Sequence, residues 1–474
     1  MTYSLNDVQA KAFERLKNMH SAIIALQTGA GKALLTLHLA KYLHSEGKNT
    51  IFFIPKSARA AYIKELETKL DTKDYQLLSS DSIPKTLKLG FTFIEFPVLS
   101  VYIDTILDLV RNNNVYMFVD EAHILCSSSS LQSECLRRIR KLCLGCYSVT
   151  ASPFLTDIEN LYYLYSSTFP ELRVFETWFK FRNRYCIVQD KEIRRPGSRQ
   201  KKIIKEIVGY KNTEELAKIL DVLTIKGSRK YNVEYNYEEI ELDKEFEEIY
   251  EKSARGLLEE DRVKEWGARL HDLQRVVDGQ TLKLKTRLCN KILRLTNIVK
   301  EIMERNEGTL IYVEYLETAD YVNEILSKNK SVLGIKNTYI MSGKESETKK
   351  QNIEKKLGSG DVLIITRAAS QSRNLQSVNN IIFMNVPYSL GVFLQTSGRI
   401  CRTDTKYEKQ NFYILEVKDT IDSYKTYLFR SHVSILNKLL GEECVGTLSV
   451  NDYIQDENVD IKELRNKLLW KKKR

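Results

Sequence analysis

The stretch Leu26–Leu35, LQTGAGKALL, is the one around which the rest of the chain is organised. It follows a short apolar run, Ala22–Ala25, that predicts a buried strand, and it leads into an apolar-periodic helix, Leu34–Leu43. A glycine-rich turn between a strand and a helix leaves backbone N–H groups directed at one point, where the helix dipole adds positive potential. The stretch therefore predicts a phosphate-binding turn, with Lys32 reaching the outer phosphates of a nucleotide.

This turn departs from the phosphate-loop pattern at two positions. Leu26 stands where the pattern has its first glycine, and Ala33 stands where a serine or threonine should follow the lysine. A glycine-rich loop with no ligand is the alternative interpretation. The residues predicted to contact the nucleotide are Thr28, Gly29, Ala30, Gly31, Lys32 and Ala33.

A second motif, Asp120-Glu121-Ala122-His123, directly follows the apolar run Val115–Val119. Ligands of open parallel sheets bind beyond the carboxyl ends of the strands, so these carboxylates and the glycine-rich turn are expected to face one nucleotide. Asp120 is predicted to hold Mg²⁺, and Glu121 to orient and deprotonate the water that attacks the γ-phosphate of ATP. ATP and Mg²⁺ are thus the expected cofactors; an acidic pair that merely caps a helix is the alternative.

Composition sets the class of protein. With 474 residues, roughly two to four domains are expected, and 28% charged residues indicate a folded, soluble chain. No apolar run approaches the ~18–20 residues of a membrane span, and the N-terminus lacks the order of a signal peptide. The scattered cysteines, including a lone Cys143/Cys146 pair that does not predict zinc, suit a cytoplasmic protein. A net charge of +11 favours a polyanionic partner.

The chain begins with a predicted helix, Ser4–Met19, for which Ser4 and Asp7 fit a capping box. Gln9 interrupts its apolar face, and its amide is able to donate to and accept from an adenine edge; a solvated glutamine is the alternative. Further apolar runs predict strands, in chain order, at Asn49–Ile54, Phe91–Phe96, Tyr147–Val149, Thr309–Val313, Asp361–Thr366 and Ile381–Asn385.

In this order, GAGK, DEAH, the Thr150-Ala151-Ser152 triplet and QTSGRICR at Gln395–Arg402 resemble motifs I, II, III and VI of superfamily 2 helicases and translocases. The resemblance implies two RecA-like α/β lobes that bind ATP between them and move along nucleic acid. It also implies that Arg399 and Arg402 act as arginine fingers and that Gln395 senses the γ-phosphate. His123, Thr150 and Ser152 would couple hydrolysis to movement. A guanidinium suits the first role because it neutralises charge on phosphoryl oxygens.

Two segments resemble the Swi/Snf-type branch: VTASPFLTDIENLYYLYSSTFP at Val149–Pro170, and AASQSRNL at Ala368–Leu375, although that branch usually has glycines where Ala369, Ser370 and Ser372 stand. The resemblance implies that nucleic acid contacts Lys56, Thr366, Arg373 and Asn374. Further similarity to fork-remodelling, annealing helicases lies in Arg184-Tyr185-Cys186, Gly209-Tyr210-Lys211-Asn212 and Glu215-Leu216. Small phage helicases that act on branched DNA are close to this chain in size and layout.

Residues Ile187–Val208 predict a hairpin around the turn Arg195-Pro196-Gly197-Ser198. Clustered cations at a hairpin tip suit contacts with phosphates, although a solvated basic loop is an equal alternative. The cations are Arg194, Arg195, Arg199, Lys201 and Lys202. Charged helices are expected at Glu241–Glu259 and Arg262–Val277.

The expected architecture is a first RecA-like lobe (1–168), an accessory segment (169–294), a second lobe (295–440) and a basic C-terminal extension (441–474). The expected function is an ATP-dependent helicase or translocase that remodels branched DNA by fork unwinding, branch migration and strand annealing. The protein is expected to be a monomer and to have no membrane partner. The alternatives are a DEAH-type RNA helicase and, because of Ala33, a nucleic-acid-binding scaffold with a weak or dead ATPase.

Overall fold

The computed structural model describes residues 5–26, 29–151, 158–194, 201–227, 232–259, 266–280, 288–367, 375–401 and 405–441. These residues divide into two compact units, each built on a parallel sheet. The strands are β1 (Ala22–Leu26), β2 (Asn49–Ile54), β3 (Gln76–Leu78), β4 (Thr92–Glu95), β5 (Val115–Val119), β6 (Gly145–Thr150), β7 (Cys186–Arg194), β8 (Lys201–Tyr210), β9 (Thr224–Gly227), β10 (Val233–Ile240), β11 (Thr309–Tyr312), β12 (Asn337–Met341), β13 (Asp361–Ile365), β14 (Asn380–Phe383) and β15 (Gln410–Val417).

The helices alternate with these strands, as parallel sheets require. They are α1 (Asp7–Leu16), α2 (Lys32–Ser45), α3 (Arg59–Lys69), α4 (Ile103–Arg111), α5 (Leu131–Arg140), α6 (Ile158–Thr168), α7 (Trp178–Tyr185), α8 (Thr213–Leu223), α9 (Lys244–Glu259), α10 (Trp266–Val277), α11 (Asn290–Glu304), α12 (Leu316–Lys328), α13 (Glu347–Lys356), α14 (Leu390–Ser397) and α15 (Ile421–Leu440). Short 3₁₀ helices lie at Lys56–Ala58, Phe96–Val98, Ala122–Cys126 and Arg173–Phe175. Within these ranges no helix has the length and apolarity that crossing a bilayer requires.

The first sheet has the strand order β3-β4-β2-β5-β6-β1-β9, with parallel pairing throughout. Its central strands are buried along their whole length, as expected for a sheet covered on both faces. Phe52, Phe118 and Tyr147 stack across three neighbouring strands, with ring centroids 4.5 Å and 5.0 Å apart. This stack fixes β2, β5 and β6 beside one another, which aligns their carboxyl ends.

The second sheet has the order β10-β15-β14-β11-β13-β12 and is also parallel. The predicted α/β class with two RecA-like sheets is therefore confirmed. The sequence predicts that residues 169–294 form an accessory segment. In the structure this segment also adds one strand to each large sheet, because β9 pairs with β1 and β10 pairs with β15. Both strands lie at the outer edge of their sheet.

The start of α1 corrects one expectation. The N-cap is Asn6, whose side chain accepts from the Gln9 backbone N–H, while the Gln9 side chain accepts from the Asn6 N–H, both at 3.0 Å. This reciprocal pair is the capping box, so the predicted Ser4/Asp7 box is wrong: Asp7 is the first residue of the helix. Ser4 lies outside the described residues.

In the second unit, a buried ionic cluster lies at the carboxyl end of the sheet. Lys291 of α11 contacts Asp278 and Asp422 at 2.8 Å and 2.7 Å, and all three side chains are at most 2% exposed. Gln274 donates to both carboxylates, and Asn385, just after β14, donates to Asp278 at 3.0 Å. The Asn385 oxygen accepts from the Glu314 N–H, just after β11. The chain order reverses between β11 and β14, so the protein's own side chains fill the crevice where such sheets usually bind ligands.

Candidate active site

The predicted phosphate-binding turn joins β1 to α2 in the first unit. Gly29 and Gly31 both have positive φ, of 87° and 73°, which is the left-handed region that favours glycine. At Gly31 a Cβ would also displace the Gln9 amide nitrogen. Helix α2 begins at Lys32, and no side chain of Gly31 caps it, which is the kind of helix start that binds phosphate. Thr28 lies outside the described residues.

Lys32 folds back across this turn. Its ammonium donates to the carbonyl of Leu26 at 3.0 Å, the last residue of β1. The Ala33 methyl packs against the apolar core, beside Ala30. The next hydroxyl along the helix, Thr36, donates to the Ala33 carbonyl at 2.9 Å and is fully buried. Ala33 therefore brings no metal ligand to the turn, and the proton of the Thr36 hydroxyl is used in a hydrogen bond within the helix.

Gln9 lies directly against the turn. Its amide nitrogen donates to the carbonyls of Gly31 at 3.1 Å and Ala30 at 3.3 Å, and its oxygen is used in the capping box. The side chain is 3% exposed. The contact of Gln9 with adenine, which the sequence predicts, stays a prediction.

The two carboxylates of the DEAH motif follow β5 at the same edge of the sheet. The Asp120 N–H donates to the Phe53 carbonyl at 2.9 Å, which holds Asp120 in line with β2. Burial and the nearby Glu121 charge raise the pKa of Asp120, whereas Lys32 and His123 oppose that rise. The charge of Lys32 in the phosphate-binding turn thus acts on Asp120.

Glu121 has a left-handed backbone, with φ of 49°. A non-glycine residue in this region is strained, and such residues concentrate at active sites. The Oε2 atom of Glu121 lies 3.3 Å from Nδ1 of His123. The motif therefore presents one carboxylate, Asp120, directly after the strand and a second, Glu121, beside a histidine.

The donors fit a magnesium ion that arrives with a nucleotide. No group of three or more histidine, cysteine or acidic side chains among the described residues is able to hold a metal by itself. Asp120 offers one hard oxygen ligand, and Mg²⁺ is usually held by one or two carboxylates together with substrate phosphates and water. Asp120 is the residue that would hold the ion, and Ala33 would contribute nothing directly.

Thr150 and Lys56 lie at the carboxyl ends of β6 and β2, the two strands that flank β5. Thr150 ends β6 and pairs with Ala25 of β1, so it is placed between the turn and the DEAH motif. Lys56 is exposed in the 3₁₀ helix that follows β2. Ser152, predicted to act with Thr150, lies outside the described residues. The nucleic-acid contact predicted for Lys56 stays a prediction.

Three predicted site residues of the second unit are described. Thr366 is buried at the end of β13, Gln395 is in α14, and Arg399 follows that helix, where its carbonyl accepts from the Leu375 N–H at 3.1 Å. Their roles stay predictions. Predicted residues outside the described part of the chain are Arg402, Arg373 and Asn374.

The predicted hairpin is confirmed as a separate two-stranded sheet of β7 and β8. Its base is fixed by residues that carry the resemblance to annealing helicases. Tyr185 is fully buried and donates to Glu215 at 2.7 Å, Arg184 pairs with the same carboxylate at 2.8 Å, and Asn212 donates to the Arg184 carbonyl at 2.8 Å. Of the predicted tip cations, Arg195 and Arg199 lie outside the described residues. Only the backbone is described for Arg194, Lys201 and Lys202.

One residue near the site was not predicted. Tyr62 of α3 is 2% exposed, and its hydroxyl lies 3.5 Å from the Thr36 hydroxyl. Burial and then the charge of Asp120 raise the pKa of Tyr62, so the DEAH carboxylates act on its hydroxyl. Its sequence context, RAAYIKEL, has no signal that separates this tyrosine from an ordinary helix residue.

Two family models match this chain. Residues 2–146 match the family model described as type III restriction enzyme, res subunit, and residues 290–404 match the helicase conserved C-terminal domain. An uncharacterized ATP-dependent helicase of Bacillus subtilis, YqhH, is 21% identical over 94% of this chain and 81% of its own length. A putative ATP-dependent RNA helicase of Methanocaldococcus jannaschii is 29% identical, over 32% of this chain and 20% of its own length.

Among solved structures, the chain is similar to the Sulfolobus solfataricus SWI2/SNF2 ATPase core in complex with dsDNA. The identity is 17%, the TM-score is 0.41, and the match covers 95% of this chain and 96% of that one.

Proposed function

The chain belongs to the superfamily 2 helicases, and from that premise we propose that it is an ATP-driven, Swi/Snf-like DNA translocase that acts on forked and branched DNA. The observation that carries the ATPase part is that Lys32 follows β1 and that Asp120 and Glu121 follow β5, two strands of one parallel sheet that lie on either side of β6. The carboxyl ends of such strands are where open α/β sheets bind nucleotides.

Each of these side chains has a separate task in the proposed reaction. Lys32 leaves the Leu26 carbonyl and binds the outer phosphates, and the N–H groups at the start of α2 hold the others. Asp120 holds Mg²⁺, which neutralises phosphate charge when bound. Glu121 accepts a proton from the attacking water, with its orientation maintained by His123. Arg399 is proposed to stabilise the charge of the transition state.

DNA is proposed as the substrate because two sequence segments resemble the Swi/Snf branch and because the chain carries a net charge of +11. Contacts with the backbone would be independent of sequence and sensitive to salt. The RNA alternative is favoured by the name of one relative, whose similarity is limited to a third of this chain. Measuring ATP hydrolysis at millimolar Mg²⁺ with duplex, forked and single-stranded DNA and with RNA tests both. Stimulation by RNA alone would refute the DNA assignment, and no stimulation would favour the scaffold alternative.

For branched substrates, the proposal depends on the hairpin of β7 and β8. A translocating motor separates strands only if a rigid element stands where they part, and the buried Tyr185 and its partners hold this hairpin firmly at its base. Its tip has the sequence RRPGSRQKK at 194–202, in which five cations surround a Pro-Gly turn. Such a tip is suited to the backbones of a fork without reading bases.

We expect that deleting 194–202 and closing the strands with a short turn leaves single-stranded-DNA-stimulated ATPase largely intact. Unwinding of forks and branch migration of four-way junctions should fall at least about tenfold, and the loss should grow with salt concentration. Lys205→Gln is the matched control, because Lys205 is an exposed cation of β8 that is already paired with Asp190 at 3.1 Å. If ATPase and fork processing fall equally in the deletion, the hairpin has a structural role only.

A further inference from the structure

We propose that the hydroxyls of Tyr62 and Thr36 hold the water molecule that replaces the missing Ser/Thr hydroxyl at Ala33 in the coordination of Mg²⁺. Tyr62 is thereby a positioning residue for the metal. This inference rests on the proposed ATPase function, since it concerns a magnesium ion bound together with nucleotide.

The position of the two hydroxyls follows from helix geometry. Thr36 lies three residues after Ala33 in α2, so the two side chains share one face, and helical side chains lean toward the N-terminus. The Thr36 side chain thus lies beneath Ala33, on the side of the phosphate-binding turn. Its hydroxyl donates to the Ala33 carbonyl at 2.9 Å, which leaves its lone pairs to accept hydrogen bonds. The Tyr62 hydroxyl, from α3, is 3.5 Å away.

Both hydroxyls are buried in surroundings that are otherwise apolar. Thr36 is 0% exposed and Tyr62 is 2% exposed. The Tyr62 ring packs against Phe52 and Phe93, with centroids 6.0 Å and 5.6 Å away. A phenylalanine would fill this space without the cost of burying a hydroxyl. The direct benefit of the hydroxyl to the core is small, because its contact with Thr36 is long for an O–H···O bond.

The charges of the DEAH carboxylates act on the same hydroxyl. After burial, the charge of Asp120 is the largest influence that raises the pKa of Tyr62, and the Glu121 charge adds to it. The Thr36 hydroxyl therefore contacts Ala33, and the Tyr62 hydroxyl beside it is within electrostatic reach of the proposed metal ligand.

The chemistry of Mg²⁺ explains why such a pair is needed here. A methyl group at position 33 is unable to ligate the ion, and Mg²⁺ readily retains water in a vacant coordination position. A metal-bound water donates two hydrogen bonds, so its position and orientation are fixed only where the protein provides hydrogen-bond acceptors. Oxygen lone pairs of Thr36 and Tyr62 are such acceptors, and groups that orient metal ligands in this way typically contribute about 10–100-fold to metal affinity.

The test is a double-mutant cycle of Tyr62→Phe and Ala33→Ser on the full chain. Binding of a fluorescent ADP analogue is titrated with Mg²⁺, and binding without metal is measured in EDTA. Tyr62→Phe should raise the Mg²⁺ concentration for half-maximal effect about tenfold and leave the affinity in EDTA unchanged. In the Ala33→Ser background the serine ligates the metal directly, so the same Tyr62→Phe change should shift the Mg²⁺ requirement less than about twofold. The matched control is Tyr75→Phe, since Tyr75 bonds the exposed Glu67.

Three results would overturn the inference. They are an unchanged Mg²⁺ requirement in Tyr62→Phe, an equal shift in both backgrounds, and a loss of affinity in EDTA that accounts for the whole effect. Each leaves the proposed function standing, because the wild-type protein still binds nucleotide and hydrolyses it. Failure of the wild-type protein to bind nucleotide at any Mg²⁺ concentration would instead overturn the proposed function.

Discussion

Glu121→Gln should lower kcat for nucleic-acid-stimulated ATP hydrolysis by at least about a hundredfold while ATP binding is retained, because general bases contribute about 10²–10⁴-fold. The amide has nearly the shape of the carboxylate, so the site keeps its form. It has no capacity to accept the proton of the attacking water. The loss therefore appears in kcat, where transition-state interactions are seen, and not in binding.

The structure makes this substitution a sharp test. The left-handed backbone of Glu121 and its 3.3 Å contact with Nδ1 of His123 hold the side chain in one direction. A glutamine is able to keep that contact through its amide oxygen. Phosphate release and binding of a fluorescent ATP analogue are measured for both proteins. Glu134→Gln, an exposed residue of α5 in the same unit, is the control and should behave as wild type. Turnover within about threefold of wild type in Glu121→Gln would remove Glu121 from the role of base.

Most of the first sheet could be predicted because its central strands are apolar throughout and are bounded by turns. The predicted strands Val115–Val119 and Asn49–Ile54 match β5 and β2 residue for residue. The position of the candidate site follows from the same strands, since the turn that carries Lys32 follows β1 and Asp120 directly follows β5. The local sequence is decisive here because burial on both faces favours apolar side chains at most positions of a strand.

Most of the strands that escaped prediction lie at the edges of the sheets, and β15, between β10 and β14, is the exception. β9, with the sequence TIKG, is four residues long and follows α8 without a turn, so no local signal separates it from the helix. β10, VEYNYEEI, carries three glutamates on a partly exposed edge, which gives it the composition of a loop or charged helix. Their pairing with β1 and β15 is a tertiary interaction, and edge strands are decided by such interactions more than by propensity.

Tyr62 and the buried ionic cluster also could not be predicted from the local sequence, because their roles depend on tertiary contacts. Lys291, Asp278 and Asp422 have the composition of surface residues, and they come from separate elements of the second unit. Charged residues are almost never fully buried unless they are paired, and the partners of these three are distant in sequence. Only the folded chain reveals that one lysine balances two carboxylates.

Lys291→Met should lower the free energy of local unfolding of the second unit by about 3–5 kcal/mol, which is the usual cost of removing one partner from a buried ion pair. The two carboxylates are no longer neutralised, although the methionine fills much of the space. Burial alone would lower the pKa of Lys291, but Asp278 and Asp422 raise it, so the lysine is charged in the folded state. Native-state hydrogen exchange is the suitable measurement, since it reports the stability of α11 separately from that of α2 in the first unit.

Lys300→Met is the matched control, because Lys300 is on the same helix, is 51% exposed and lies 3.9 Å from Glu304. Its effect should be below about 1 kcal/mol, as for other surface ion pairs. Exchange from α2 should be unchanged in both variants. If Lys291→Met lowered the free energy of unfolding by less than about 1 kcal/mol, water would reach the cluster and solvate the two carboxylates.

A second substitution separates the cost of leaving two buried carboxylates without a counter-charge from the loss of their attraction to Lys291. If the instability of Lys291→Met comes from uncompensated carboxylates, then adding Asp278→Asn removes one of the two charges and should restore part of the stability. The asparagine is still able to accept the hydrogen bonds from Gln274 and Asn385. If the cluster contributed only through pairwise attraction, the double variant would be no more stable than Lys291→Met. Recovery of about 1 kcal/mol or more in the double variant would therefore show that the lysine is retained to neutralise the buried carboxylates at the end of the second sheet.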